Sequence, residues 1–190
     1  MRRPSLFCAL ILAFSACGTP TDAPDAGDDG RRTLDTCGGS VGEGVPAFFA
    51  KYFRCVDVSL DGSDVVITST GLPPHDSPYY ASTHPNWTAF DTRGGERFQN
   101  PNRIATNTIS FRIPLSPVAK GLTIDGELVD LQMGTSNHEY RGGNAGVSLD
   151  GVAMFNAAAG RGDDIRNEEK TFDAYEGHPQ QQGAYHYHSG

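Results

Sequence analysis

From residue 56 onward, apolar and polar side chains alternate with the period of a strand. Val56, Val58 and Leu60 are separated by Asp57 and Ser59, Asp61-Gly62 supplies a turn, and Val65-Val66-Ile67-Thr68 resumes as a β-branched run, which predicts a hairpin. The pattern recurs twice. Leu122 to Ile124 faces Glu127 to Met133 across Asp125-Gly126, and Gly146 to Leu149 faces Val152 to Phe155 across Asp150-Gly151. Thr108 to Ile113 predicts a further strand, ended by Pro114 and Pro117, which have no amide hydrogen for a ladder. Only Pro46 to Phe53 and Asp163 to Lys170 suit short helices. The expectation is a mainly β domain, an antiparallel β-sandwich or jelly-roll-like fold with long loops.

The first seventeen residues follow a different rule. Arg2 and Arg3 precede an apolar run from Leu6 to Phe14, then Ser15, Ala16 and Cys17, the order of a secretory signal. Such a run is too short to span a bilayer as a helix. Phe14-Ser15-Ala16-Cys17 resembles a bacterial lipobox with Phe in place of the usual Leu, which implies a lipid on the Cys17 thiol and a membrane as partner. Residues 18–36 contain many Pro, Gly and Asp and almost no apolar side chain, so they cannot offset the entropy of ordering and read as a disordered acidic linker. The domain is then 37–190. Its address is the bacterial cell envelope, outside the cytoplasm, at the outer membrane or the cell surface.

The 190-residue chain carries a formal charge of −8, and losing Arg2 and Arg3 with the signal makes the exported part more acidic still. A nucleic-acid partner held through phosphate neutralisation is therefore excluded from the reading. The 23 Gly and 12 Pro disfavour a helical bundle. Of four Cys, Cys8 leaves with the signal and Cys17 takes the lipid, so Cys37 and Cys55 remain to pair in an oxidising compartment. Closing that loop contributes about 3 kcal/mol.

Candidate chemistry sits in loops and at the C-terminus. Pro73-Pro74 fixes an extended path that presents His75 and Asp76. In Tyr185-His186-Tyr187-His188, strand alternation sends both imidazoles to one face and both phenols to the other. Pro179 to Gly183 suits a hairpin loop that folds His178, Glu176 and Asp173 back toward the histidine face. Three histidines with one or two carboxylates form a ligand set for a transition metal ion: zinc, copper or iron. The candidate ligands are His178, His186, His188, His75 and Asp173, with Asp173 also able to orient an imidazole, and Glu176 is a ligand or a general base.

The Tyr-His-Tyr-His quartet, with Gly177-His178-Pro179, Gly183 and Asp173 before it, resembles the signature of the YHYH-domain family of exported bacterial proteins. Gly146 to Phe155 and Gly71 to His75 are similar to two further elements of that family. The resemblance spans roughly Val56 to the end and implies a histidine-based metal site without an assigned reaction. Family members run on past the quartet, whereas this chain stops two residues later, as a short form or a C-terminally truncated one.

Three functional readings follow from these residues. One is a non-catalytic metal-binding lipoprotein. The second is a metal-dependent hydrolase or oxidoreductase using the same site, although no HExxH or nucleophile-elbow pattern is present. The third is a carbohydrate- or cell-wall-binding domain taking a cell-surface or small-molecule ligand on Trp87, Tyr79, Tyr80 and Tyr140.

Overall fold

The structure is a computed structural model that describes residues 30–119, 121, 143–156 and 165–188. Cys17, His138, Tyr140 and the Leu122–Met133 hairpin lie outside the described residues. Among the described residues, eight strands form two four-stranded sheets with few helices, a β-rich fold.

The first sheet contains β1 (Ser40–Val41), β2 (Val56–Asp61), β3 (Asp64–Ser69) and β4 (Ile109–Pro114), in that spatial order. The two-residue turn after Asp61 puts Gly62 at a φ of 63°, a conformation that costs glycine little. The register aligns Val58 with Ile67 and Ile67 with Phe111, so the alternating apolar residues share one face. Helix α1 (Ala47–Tyr52) brings Phe49, with Phe53 just beyond its end, onto Val56, Val58, Val65 and Ile67. Val45, Phe111 and Val147 complete this cluster. The Cys37–Cys55 disulfide, with its Cα atoms 5.0 Å apart, ties the segment before β1 to the start of β2.

The second sheet has the order β5 (Asn144–Val147), β6 (Ala153–Phe155), β8 (Tyr185–His188), β7 (Gly177–Pro179). Helix α2 (Ile165–Glu168) and a 3-10 turn (Glu169–Thr171) precede β7. The β5–β6 turn docks on the first sheet. Arg54 N–H donates to the Leu149 carbonyl at 2.8 Å, and a Cβ on Gly151 would lie 2.6 Å from Val56 Cγ1.

One expectation changes. The sheets are mixed, not wholly antiparallel: β1 pairs parallel with β2, and β6 pairs parallel with β8. Local turn signals identify only partners joined by a short loop, whereas a parallel partner is reached through a long connection. The described residues also include 30–36, next to Cys37. Arg32 N–H donates to Asn86 Oδ1 at 2.7 Å, Asn86 Nδ2 donates back to the Arg32 carbonyl at 2.9 Å, and Arg31 pairs with Asp76. Two arginines thus dock the end of the acidic linker.

Candidate metal centre

The centre is built on strand β8. Its alternation places His186 and His188 on one face and Tyr185 and Tyr187 on the other. The hairpin to β7 is closed by Gln180 N–H to the Ala184 carbonyl (3.1 Å) and Gly183 N–H to the Gln180 carbonyl (2.8 Å), and it sets His178 directly across from His186. Gly177 is required in β7 because a Cβ there would sit 2.4 Å from the Tyr185 hydroxyl. On the other flank, β6 pairs Ala153 with His186 and Phe155 with His188.

Four side chains converge on this face: Glu168, His178, His186 and His188 each offer one ligand atom, and all four atoms lie within 4.8 Å of one another. His186 Nε2 and His188 Nε2 are 3.1 Å apart, and Glu168 Oε1 is 3.2 Å from His178 Nε2 and 3.9 Å from His188 Nε2. The shorter separations are close to the edge of about 3.3 Å expected for nitrogen and oxygen ligands arranged tetrahedrally around zinc.

The outer ring nitrogens identify the tautomers. His186 Nδ1 lies 3.1 Å from the Ala184 carbonyl and His188 Nδ1 lies 3.3 Å from the Asn156 carbonyl. A carbonyl only accepts, so both Nδ1 atoms carry the proton. His178 Nδ1 lies between Thr171 Oγ1 at 2.6 Å, whose own hydrogen is donated to the Glu168 carbonyl, and Asn100 Nδ2 at 3.4 Å. His186 and His188 therefore each turn an Nε2 lone pair inward, the usual result when an oxygen acceptor orients a metal-binding histidine. Glu168 Oε2 and His178 Nε2 are buried without a hydrogen-bond partner among the described residues. Buried polar atoms normally find partners, so these two point to an ion.

Burial also sets the charge state. His186 is 2% exposed, and burial, reinforced by neighbouring His178, pushes its pKa down to about 3. Burial likewise lowers His188. For Glu168, burial acts upward, but His178, His188 and His186 together outweigh it and hold the carboxyl below its ordinary range. The result near neutral pH is neutral His186 and His188 rings facing a carboxylate, a donor set suited to a divalent cation. Phe155 stacks on His186 at 3.9 Å and Phe172 on His188 at 4.7 Å between centroids, covering ring faces.

The remaining sequence candidates are elsewhere. Asp173 lies on the tyrosine side, accepting from the Tyr185 hydroxyl at 2.8 Å, Ser77 Oγ at 2.6 Å and Tyr175 N–H at 2.9 Å. His75 is also on that side: its Nε2 is 2.9 Å from the Tyr187 hydroxyl, its Nδ1 donates to the Asp76 carbonyl at 3.0 Å, and its ring stacks on Tyr175 at 3.7 Å. Strand alternation separates both residues from the imidazoles. Glu176 points outward, with Oε1 3.9 Å from Arg97. Glu168 takes the place expected for these carboxylates. It was missed because it sits in the charged run Arg166-Asn167-Glu168-Glu169-Lys170, which reads as a solvated face. No local signal separates it from Glu169. Of the proposed sugar platforms, Tyr79 and Tyr80 are buried, whereas Trp87 is exposed.

No protein-family model matches the chain, and neither curated proteins nor solved structures provide a match.

Proposed function

We propose that this protein is an exported metal-binding domain in which His178, His186, His188 and Glu168 hold one transition metal ion. The observation that carries the reading is the convergence of one nitrogen from each of three buried histidines and a carboxylate oxygen within 4.8 Å of one another. Nitrogen and oxygen donors without a thiolate suit zinc, with copper or iron as the other candidates from the donor chemistry. When bound, the ion supplies Lewis acidity and cross-linking charge. The Ala184 and Asn156 carbonyls hold His186 and His188 in the tautomer that can bind it, and Thr171 anchors the His178 ring.

The same proposal includes membership of the YHYH-type family and attachment to the bacterial envelope through lipidated Cys17. The Cys37–Cys55 bridge supports an oxidising address. No helix among the described residues is long and apolar enough to cross a membrane. A sandwich-like stacking of the two sheets also belongs to this reading, supported by the docking of Leu149 and Gly151 against the start of β2.

The test is elemental analysis of protein purified without a polyhistidine tag. One equivalent of a transition metal per chain is expected, and it is lost when His186 and His188 are both changed to Ala. A native protein that is metal-free and takes up no zinc, copper or iron would falsify the reading.

A further inference from the structure

Resting on that reading, we propose that the bound ion is a structural cross-link: it holds Ile165–Thr171 against the C-terminal hairpin, and the order of the second sheet depends on it while that of the first does not. The four ligands come from three short pieces of chain, α2, β7 and β8. None of these can persist alone, since α2 has four residues and β7 three. The contiguous apolar cluster of Phe49, Phe53, Val56, Val58, Val65 and Ile67 belongs to the first sheet and its helix. The histidine face of the second sheet buries imidazoles in its place.

Without a cation this face is electrostatically opposed. With the Nδ1 atoms of His186 and His188 both donating to carbonyls, the 3.1 Å approach of His186 Nε2 to His188 Nε2 sets lone pair against lone pair. The Glu168 carboxylate lies 3.2 Å from His178 Nε2 and 3.9 Å from His188 Nε2. One divalent ion turns the ring-to-ring contact attractive and draws in the carboxylate and His178 at once. Because the unfolded chain has no such preformed site, the free energy of binding becomes stability of the segments that supply the ligands. The three imidazole ligands are also enclosed: His178, His186 and His188 are 5%, 2% and 8% exposed, with Phe155 and Phe172 packed on the rings, while Glu168 closes the outer side with 22% of its side chain exposed. That enclosure suits a coordination sphere closed by protein, the hallmark of a structural site.

Amide hydrogen exchange on the whole chain with its disulfide intact tests this, comparing protein stripped by EDTA with the same protein reloaded with zinc, and measuring metal content in parallel. At free zinc 100 times the Kd, exchange within 165–188 slows about a hundredfold, while exchange within 56–69 is unchanged. Zinc that binds stoichiometrically without protecting 165–188 overturns the cross-link but leaves the metal-binding reading standing. Equal protection of both sheets overturns the regional claim. Failure to take up zinc or another transition metal removes the cross-link and the metal-binding reading together. Glu168→Gln keeps the side-chain shape but removes the charge; the variant still binds zinc through three imidazoles, yet Ile165–Thr171 exchange as in stripped protein. Wild-type protection in that variant overturns the proposal.

Discussion

The two sheets solve the same folding problem with different materials. In the first, Val58, Val65 and Ile67 are almost wholly buried beneath Phe49 and Phe53, and a disulfide closes the neighbouring loop. In the second, the central strand buries His186 and His188 on one side and Tyr185 on the other, with Asp173 accepting from the Tyr185 hydroxyl. Apolar burial is non-directional and tolerates small displacements, whereas a polar interior is stable only when each donor and acceptor is met. The first sheet packs a contiguous apolar cluster, and the second gathers four side chains that could hold a metal ion.

Acid should separate the two sheets most strongly in metal-free protein. The folded pKa of about 3 for His186 lies below its ordinary 6.5, so between these values the unfolded chain binds the proton first. Stability is therefore complete above pH 6.5 and declines as pH falls toward 3, by about 5 kcal/mol for this ring. The lowered value of Glu168 acts in the same direction at the acid end, because its carboxylate contribution disappears on protonation. Urea melts between pH 7 and 4, followed by exchange in 165–188, check this; a flat profile would mean that the rings are not buried together.

Ile67→Ala should cost about 2–5 kcal/mol by leaving a cavity under α1. The loss should be the same with and without zinc in denaturant melts, and a zinc-dependent loss would erase the distinction between the sheets. Changing Cys37 and Cys55 together to Ser should lower stability by about 3 kcal/mol with metal stoichiometry unchanged. Elemental analysis beside a thermal melt reads both quantities. The smallest effect is expected from Tyr187→Phe, which removes hydrogen bonds to His75 and Asp150 on the side away from the imidazoles. It should cost about 1 kcal/mol and leave zinc affinity unchanged by competition titration. An affinity change there would show that the two faces of β8 are coupled.

The β2–β3 hairpin was legible because alternation and an Asp-Gly turn are local signals, and its strands run from Val56 to Ser69 as the pattern implies. The placement of His178 across from His186 was legible for the same reason, since a short loop and a period of two determine which residues share a face. The parallel pairing of β6 with β8 was not legible, because its register joins Ala153 to His186 across a long connection. Asp173 and His75 were assigned by chemical type. Their chemistry is used, but on the tyrosine face.

The order of residues alone determined the strand period, the turn positions, the pair of cysteines and the two imidazoles of the quartet that share a surface. Each depends on backbone geometry over a few residues, which chain connectivity imposes directly. Only the tertiary structure decided that Glu168, and not Asp173 or Glu176, faces those imidazoles. That choice depends on where a crossover segment packs, and a carboxylate in a charged run carries no mark of the surface against which it will be buried.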